Sequence, residues 1–104
     1  MGSRRRRVVW SEGARRELDA AIAFVAEDSL GGALRLLEDI LSSAESLSHL
    51  AERGRVVPER GDSAVRELVS GSYRLLYHVT DSDVVMLGLL HQRRDFDRWG
   101  GLDE

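Results

Sequence analysis

The sequence predicts an α/β domain of the α+β kind, in the order β-α-α-β-β-β, with a helix hairpin packed on one face of a small, mostly antiparallel sheet. Three observations predict it. Apolar residues recur at steps of three and four through two consecutive segments between Ala14 and Leu50. Three branched, apolar runs follow between Val65 and Leu90, separated by the short polar turns Ser70-Gly71-Ser72 and Asp81-Ser82-Asp83. A further branched run, Val8-Val9-Trp10, precedes the helices. The 104 residues suffice for one core, so residues 1–104 are read as a single domain with loose ends at 1–4 and 101–104.

Arg5 to Trp10 is the expected first strand. The run Arg4 to Arg7 reads either as a solvated terminus or as a basic arm for an acidic partner or nucleic acid. Ser11 is a natural N-cap, and Glu12 suits the first turn. Ala14, Leu18, Ala21, Ile22 and Val25 then form one stripe, and the helix is expected to end near Asp28. Ser29 caps a second helix whose stripe is Leu34, Leu37, Leu41, Ala44 and Ser48, running toward Gly54 as its stop. The short link at Ser29 makes the pair an antiparallel hairpin. Arg55 to Asp62 is expected to be loop, since Pro58 bars a helix and Gly61 allows a turn. The strands are centred on Glu67-Leu68-Val69, Tyr73 to Val79 and Val84 to Leu90. The last has no polar side chain and is placed centrally, covered on both faces. It runs into His91-Gln92-Arg93-Arg94-Asp95, and Asp95 to Trp99 adds at most a short turn.

Composition excludes several classes. There is no cysteine, so disulfides and thiolate metal sites are out, which fits a cytoplasmic protein. No apolar run approaches the roughly 18 residues of a membrane span. A net charge of -3 argues against a general polyanion binder. All fifteen basic residues are arginine, the better bidentate partner for carboxylate and phosphate. They are unevenly placed: Arg53, Arg55, Arg60, Arg66, Arg74, Arg93, Arg94 and Arg98 lie in the second half, whereas Glu17 to Glu52 is rich in acid.

No metal set or cofactor motif is visible. His49, His78 and His91 have no ligand spacing, and Gly31-Gly32 is far from a phosphate loop. His91, beside Arg93 at a strand end, is read as a structural or partner-contact residue, with acid-base work as the alternative. Arg66 and Glu67 are strand neighbours and so point to opposite faces. Arg74 enters an apolar strand, where a guanidinium must be held by a carboxylate or await an anion. Phe96 and Trp99 cover the sheet or form a partner groove, and Tyr77 is expected in the core.

Taken in order, these segments resemble the ParE/RelE superfamily of type II toxins. The resemblance rests on Val8-Val9-Trp10, the helix hairpin, Gly54-Arg55, Pro58-Glu59, Arg66-Glu67-Leu68, Tyr73-Arg74-Leu75-Leu76-Tyr77 and His91-Gln92-Arg93-Arg94-Asp95. It implies a growth-inhibiting toxin of the plasmid-stabilisation type, without cofactor or metal, kept silent in a hetero-oligomer by a cognate antitoxin. It also implies two competing activities. ParE-like members poison DNA gyrase; RelE-like members cut messenger RNA on the ribosome. Arg74 and Arg93 fall where RelE-like toxins carry arginines of the active surface. Val65 and Glu67, however, stand where that branch places lysines, and Trp99 stands near its tyrosine. Glu67 opposes the charge that develops on a phosphate under attack, and an indole transfers no proton near neutral pH. Another RNase branch pairs glutamate with histidine, which keeps a set of Arg74, Arg93, His91 and Glu67 (or Glu59) as the enzyme alternative. The preferred reading is the ParE-like gyrase inhibitor, with a diverged, inactive binding module as the third. Its expected partner-binding residues are Arg55, Glu59, Arg66, Arg74, Arg93, Arg94 and Trp99.

Overall fold

The computed structural model describes residues 5–57 and 63–92. Strand β1 (Arg7–Trp10) leads into α1 (Glu12–Ala26) and α2 (Leu30–Ser46). Then come β2 (Arg55–Val56), β3 (Val65–Ser70), β4 (Tyr73–Val79) and β5 (Asp83–His91). The strands lie in the order β1-β5-β4-β3-β2. β1 runs parallel to β5, with Arg7 beside Asp83 and Trp10 beside Met86; all other neighbours are antiparallel. The α+β order thus holds, with β2 as an added two-residue strand where loop was expected. β5 is an interior strand, but the middle position belongs to β4.

Both helices start where their caps direct. The Ser11 Oγ accepts the Ala14 N–H at 3.0 Å, and the Ser29 Oγ accepts the Gly32 N–H at 2.9 Å. α1 buries Ala14, Leu18 and Ala21, the predicted stripe. α2 departs from its prediction twice. It ends at Ser46 rather than at Gly54. The chain turns there because Leu47 and Ala51 enter the core, which outweighs further helical hydrogen bonds. Its buried face is also shifted: Ala33, Ile40 and Ala44 point inward, while Leu34 and Leu41 are exposed. The small alanines let α2 approach closely, and its second apolar stripe is left outside.

The main core lies between the hairpin and one sheet face, where Leu18, Ile40 and Leu47 meet Leu75, Tyr77, Val84 and Met86. Val57, Val65, Leu76 and Leu90 form a smaller buried cluster on the other face. A β-bulge decides which β5 side chains join which cluster. Leu76 pairs with Gly88 and Tyr77 with Met86, so Leu87 is an extra residue in β5. Before it, Val84 and Met86 face the helices; after it, Leu89 does. β1 stops short of the end of β5, and there the Glu17 carboxylate of α1 accepts the Leu89 N–H at 2.9 Å in place of a strand.

The turns after α2 are pinned to the sheet. The Tyr77 hydroxyl donates to the Ala51 carbonyl and accepts the Gly54 N–H, each at 2.9 Å. Gly54 has no room for a side chain, since a Cβ there would clash with the Glu67 carbonyl and the Tyr77 hydroxyl. Gly54→Ala is therefore expected to cost about 1–3 kcal/mol, read as a lower urea midpoint at unchanged slope. Tyr77→Phe strands two buried backbone groups and costs about 1–3 kcal/mol. Burial pushes the Tyr77 phenol above its ordinary 10.0, against the opposing pull of the Gly54 N–H and of Arg66 and Arg53. The unfolded chain therefore releases that proton first. The associated stability is full below the ordinary value and is lost as pH climbs toward the folded one. Thermal melts above about pH 10 should fall more steeply for the natural protein than for Tyr77→Phe.

Candidate functional site

On the sheet face away from the helices, two arginines converge on one carboxylate. β3 alternates, so Val65 and Glu67 face outward while Arg66 faces the hairpin side. Arg55 of β2 lies directly opposite Glu67. Arg74 of β4 lies opposite Val69, diagonal to Glu67 on the same face and within reach of a long side chain. The Arg55 Nε donates to Glu67 Oε2 at 2.5 Å. The Arg74 Nε donates to Glu67 Oε1 at 2.8 Å, and its Nη2 pairs with the same oxygen.

Burial differs across this triad. The Glu67 side chain is sealed, that of Arg74 is 14% exposed and that of Arg55 is 70% exposed. A buried carboxylate is tolerated because guanidinium donors surround it. The triad carries one net positive charge, and Arg55 bears it at the surface. Arg74 is thus held by a carboxylate, one of the two outcomes its apolar strand required.

Arg66 takes a different place. Its Nη1 donates to the Gly54 carbonyl at 2.8 Å, so it braces the turn that delivers Arg55. His91 also separates from the triad. It pairs across the ladder with Tyr73, their rings meeting edge-on at 5.3 Å. Tyr73 belongs to the hairpin-side core, so His91 and Arg74 project from opposite faces. The bulge at Leu87 fixes that side for His91. Its sequence signal is Gly88, an isolated glycine in an otherwise branched strand. Glu59, Arg93, Arg94 and Trp99, along with Phe96 and Asp95, lie outside the described residues. Among the described residues, no group of three histidine or acidic side chains is placed to hold a metal ion. No described helix is long and apolar enough to cross a membrane.

A family model described as "ParE toxin of type II toxin-antitoxin system, parDE" matches residues 8–96. The chain belongs to the ParE toxin family. It is accordingly a type II toxin of the ParE/RelE superfamily. No curated protein matches the sequence. Among solved structures, the ParE-family chain is similar to the chromosomal ParDE toxin-antitoxin system from P. aeruginosa. The identity is 21% and the TM-score 0.68, covering 83% of this chain and 95% of that one. It is also similar to the RelBE2 toxin-antitoxin complex from Mycobacterium tuberculosis, at 24% identity and a TM-score of 0.56, covering 84% and 98%. At these identities the likeness concerns the fold.

The triad makes a stability prediction for this ParE-family chain. Arg74→Ala uncovers a buried charge and should cost about 3 kcal/mol. Arg55→Ala, at an exposed pair, should cost less than about 1 kcal/mol. In a double-mutant cycle, Glu67→Leu with Arg74→Met should be less destabilised than the sum of the singles, by about 1–3 kcal/mol in urea unfolding.

Proposed function

We propose that the chain arrests growth by inhibiting DNA gyrase, and that a cognate antitoxin silences it in a hetero-oligomer. Family membership supports this reading, and one observation carries it against the RNase alternative: Glu67 engages the guanidinium of Arg74. Cleavage by a ribose 2′-OH needs positive charge free to stabilise the phosphate, with a proton-transfer group beside it. Here the Arg74 donors at Nε and Nη2 are directed at Glu67, and His91 projects from the other face. Arg55 and Arg74 serve instead as one wall of an antitoxin site. An acidic segment of the antitoxin lies along the outer sheet face and meets the exposed part of Arg55; Glu59, Arg93, Arg94 and Trp99 belong to the same proposed partner-binding set. Arg66 supports that wall from behind.

The purified chain should abolish gyrase supercoiling and leave ribosome-bound messenger RNA intact. Codon-aligned cuts that vanish in Arg93→Ala would replace this reading with the RNase one. No growth arrest on induction and no effect in either assay would leave a binding module. Arg55→Ala should weaken capture by the product of an adjacent small reading frame about five- to tenfold, and more at low salt than at high.

A further inference from the structure

We propose that the chain binds a phosphate group, carried by a nucleotide or a nucleic acid, in a cavity at the start of β1. The basic run there is pinned to its neighbours. The Arg6 N–H donates to the Ser48 carbonyl at 2.7 Å, and the Arg7 N–H to the Ser82 carbonyl at 3.0 Å. The Arg6 Nε donates to the Thr80 carbonyl at 2.8 Å, and the Arg7 Nε to Asp83 Oδ1 at 3.2 Å. Both guanidinium groups are thus oriented through Nε. Among the described residues their terminal nitrogens meet no acceptor. The Arg7 side chain is 77% exposed, so its fork is reachable from water. A cavity of about 460 Å³ opens beside it, lined by Arg5, Arg6, Arg7, Val8, Glu45 and Ser82. That volume is in the range of small-ligand sites.

The lining selects the ligand. Arginine forks bind carboxylate and phosphate alike. A phosphate monoester, however, offers three acceptor oxygens and close to two charges at one point, so several guanidinium groups can share it. Ser82 adds a hydroxyl donor. Positive charge dominates the wall, with three arginines against one carboxylate, Glu45. Asp83 is engaged by Arg7, and neither Asp81 nor Asp83 lines the cavity. Glu45 is exposed on α2. It repels the successive carboxylates of an acidic peptide but accepts an N–H from the neutral part of a ligand, such as a nucleobase amino group. A phosphate with a donor close by describes a nucleotide better than an acidic segment. The cavity is also separate from the sheet face assigned to the antitoxin. β1 and β2 are opposite edges of the sheet. Arg7 pairs with the first residue of β5, whereas Arg74 pairs with Leu90 near its last.

The test uses the full chain with three labelled probes: cytidine 5′-monophosphate, a 5′-phosphorylated oligonucleotide and an oligoglutamate peptide. By fluorescence anisotropy at low salt, at least one phosphate probe should bind about tenfold or more tightly than the peptide. Binding of the mononucleotide would make the carrier a free nucleotide, and binding of the oligonucleotide alone would make it a nucleic acid; either supports the site. Arg5→Gln combined with Arg7→Gln should weaken that binding about tenfold or more, and should lower the salt slope of the oligonucleotide by about two. The double variant should keep its circular dichroism spectrum, since it removes one exposed ion pair. If it does not, Arg5→Gln alone, which breaks no hydrogen bond among the described residues, should weaken binding about threefold. Arg35→Gln, which takes one exposed arginine from α2, should leave binding unchanged. No binding of either phosphate probe, equal binding of the peptide, binding that survives loss of Arg5 and Arg7, or an equal loss in Arg35→Gln would each overturn the proposal.

Discussion

The interaction on which this sheet depends is the burial of Glu67 between Arg55 and Arg74. An ionised carboxylate sealed from water is tolerated only while its donors stay in place. β2 has just two ladder residues, too few to hold an edge strand by backbone pairing alone. The Arg55–Glu67 pair ties that strand to β3, and Arg74 ties β3 to β4. Charge thus holds together three strands on a face where the buried apolar cluster is small.

The opposite face of the same strands completes the arrangement. Tyr77 and Arg66 point toward the hairpin side and hold the turns after α2 through the Ala51 and Gly54 backbone. Gly54 is pressed between the Glu67 backbone and the Tyr77 hydroxyl. Arg55 follows immediately, so its position is set from both faces of β3 and β4. The resemblance motif Gly54-Arg55 has a steric and an electrostatic half: the glycine permits the approach, and the arginine uses it.

Much of this was legible in the sequence. The caps at Ser11 and Ser29 and the alternation of β3 and β4 are local signals, and each held. So did the rule that neighbouring strand residues face apart, which separates Arg66 from Glu67. The features that escaped depend on distant partners. α2 carries two apolar stripes, and periodicity cannot say which one the core accepts; small Ala33 and Ala44 decide it by close approach. Leu47 and Ala51 end α2 by entering a core built from strands thirty or so residues later in the chain. The bulge at Leu87 shifts β5 by one residue and carries His91 to the face opposite Arg74, apart from the residue it was grouped with in the RNase alternative. Arg93, Arg94, Glu59 and Trp99 fall outside the described residues, so their part in the site stands as proposal.

The parallel pairing of β1 with β5 has a consequence for synthesis. Among the described residues the first strand finds its neighbour in residues 83–86, so closing the sheet means bringing Arg7 beside Asp83. Contacts of such long separation form late in folding. The hairpin is local and free to form early, but until β5 has left the ribosome β1 lacks the strand that flanks it among the described residues. Truncation before residue 83 would therefore leave β1 without the strand it pairs with in this fold.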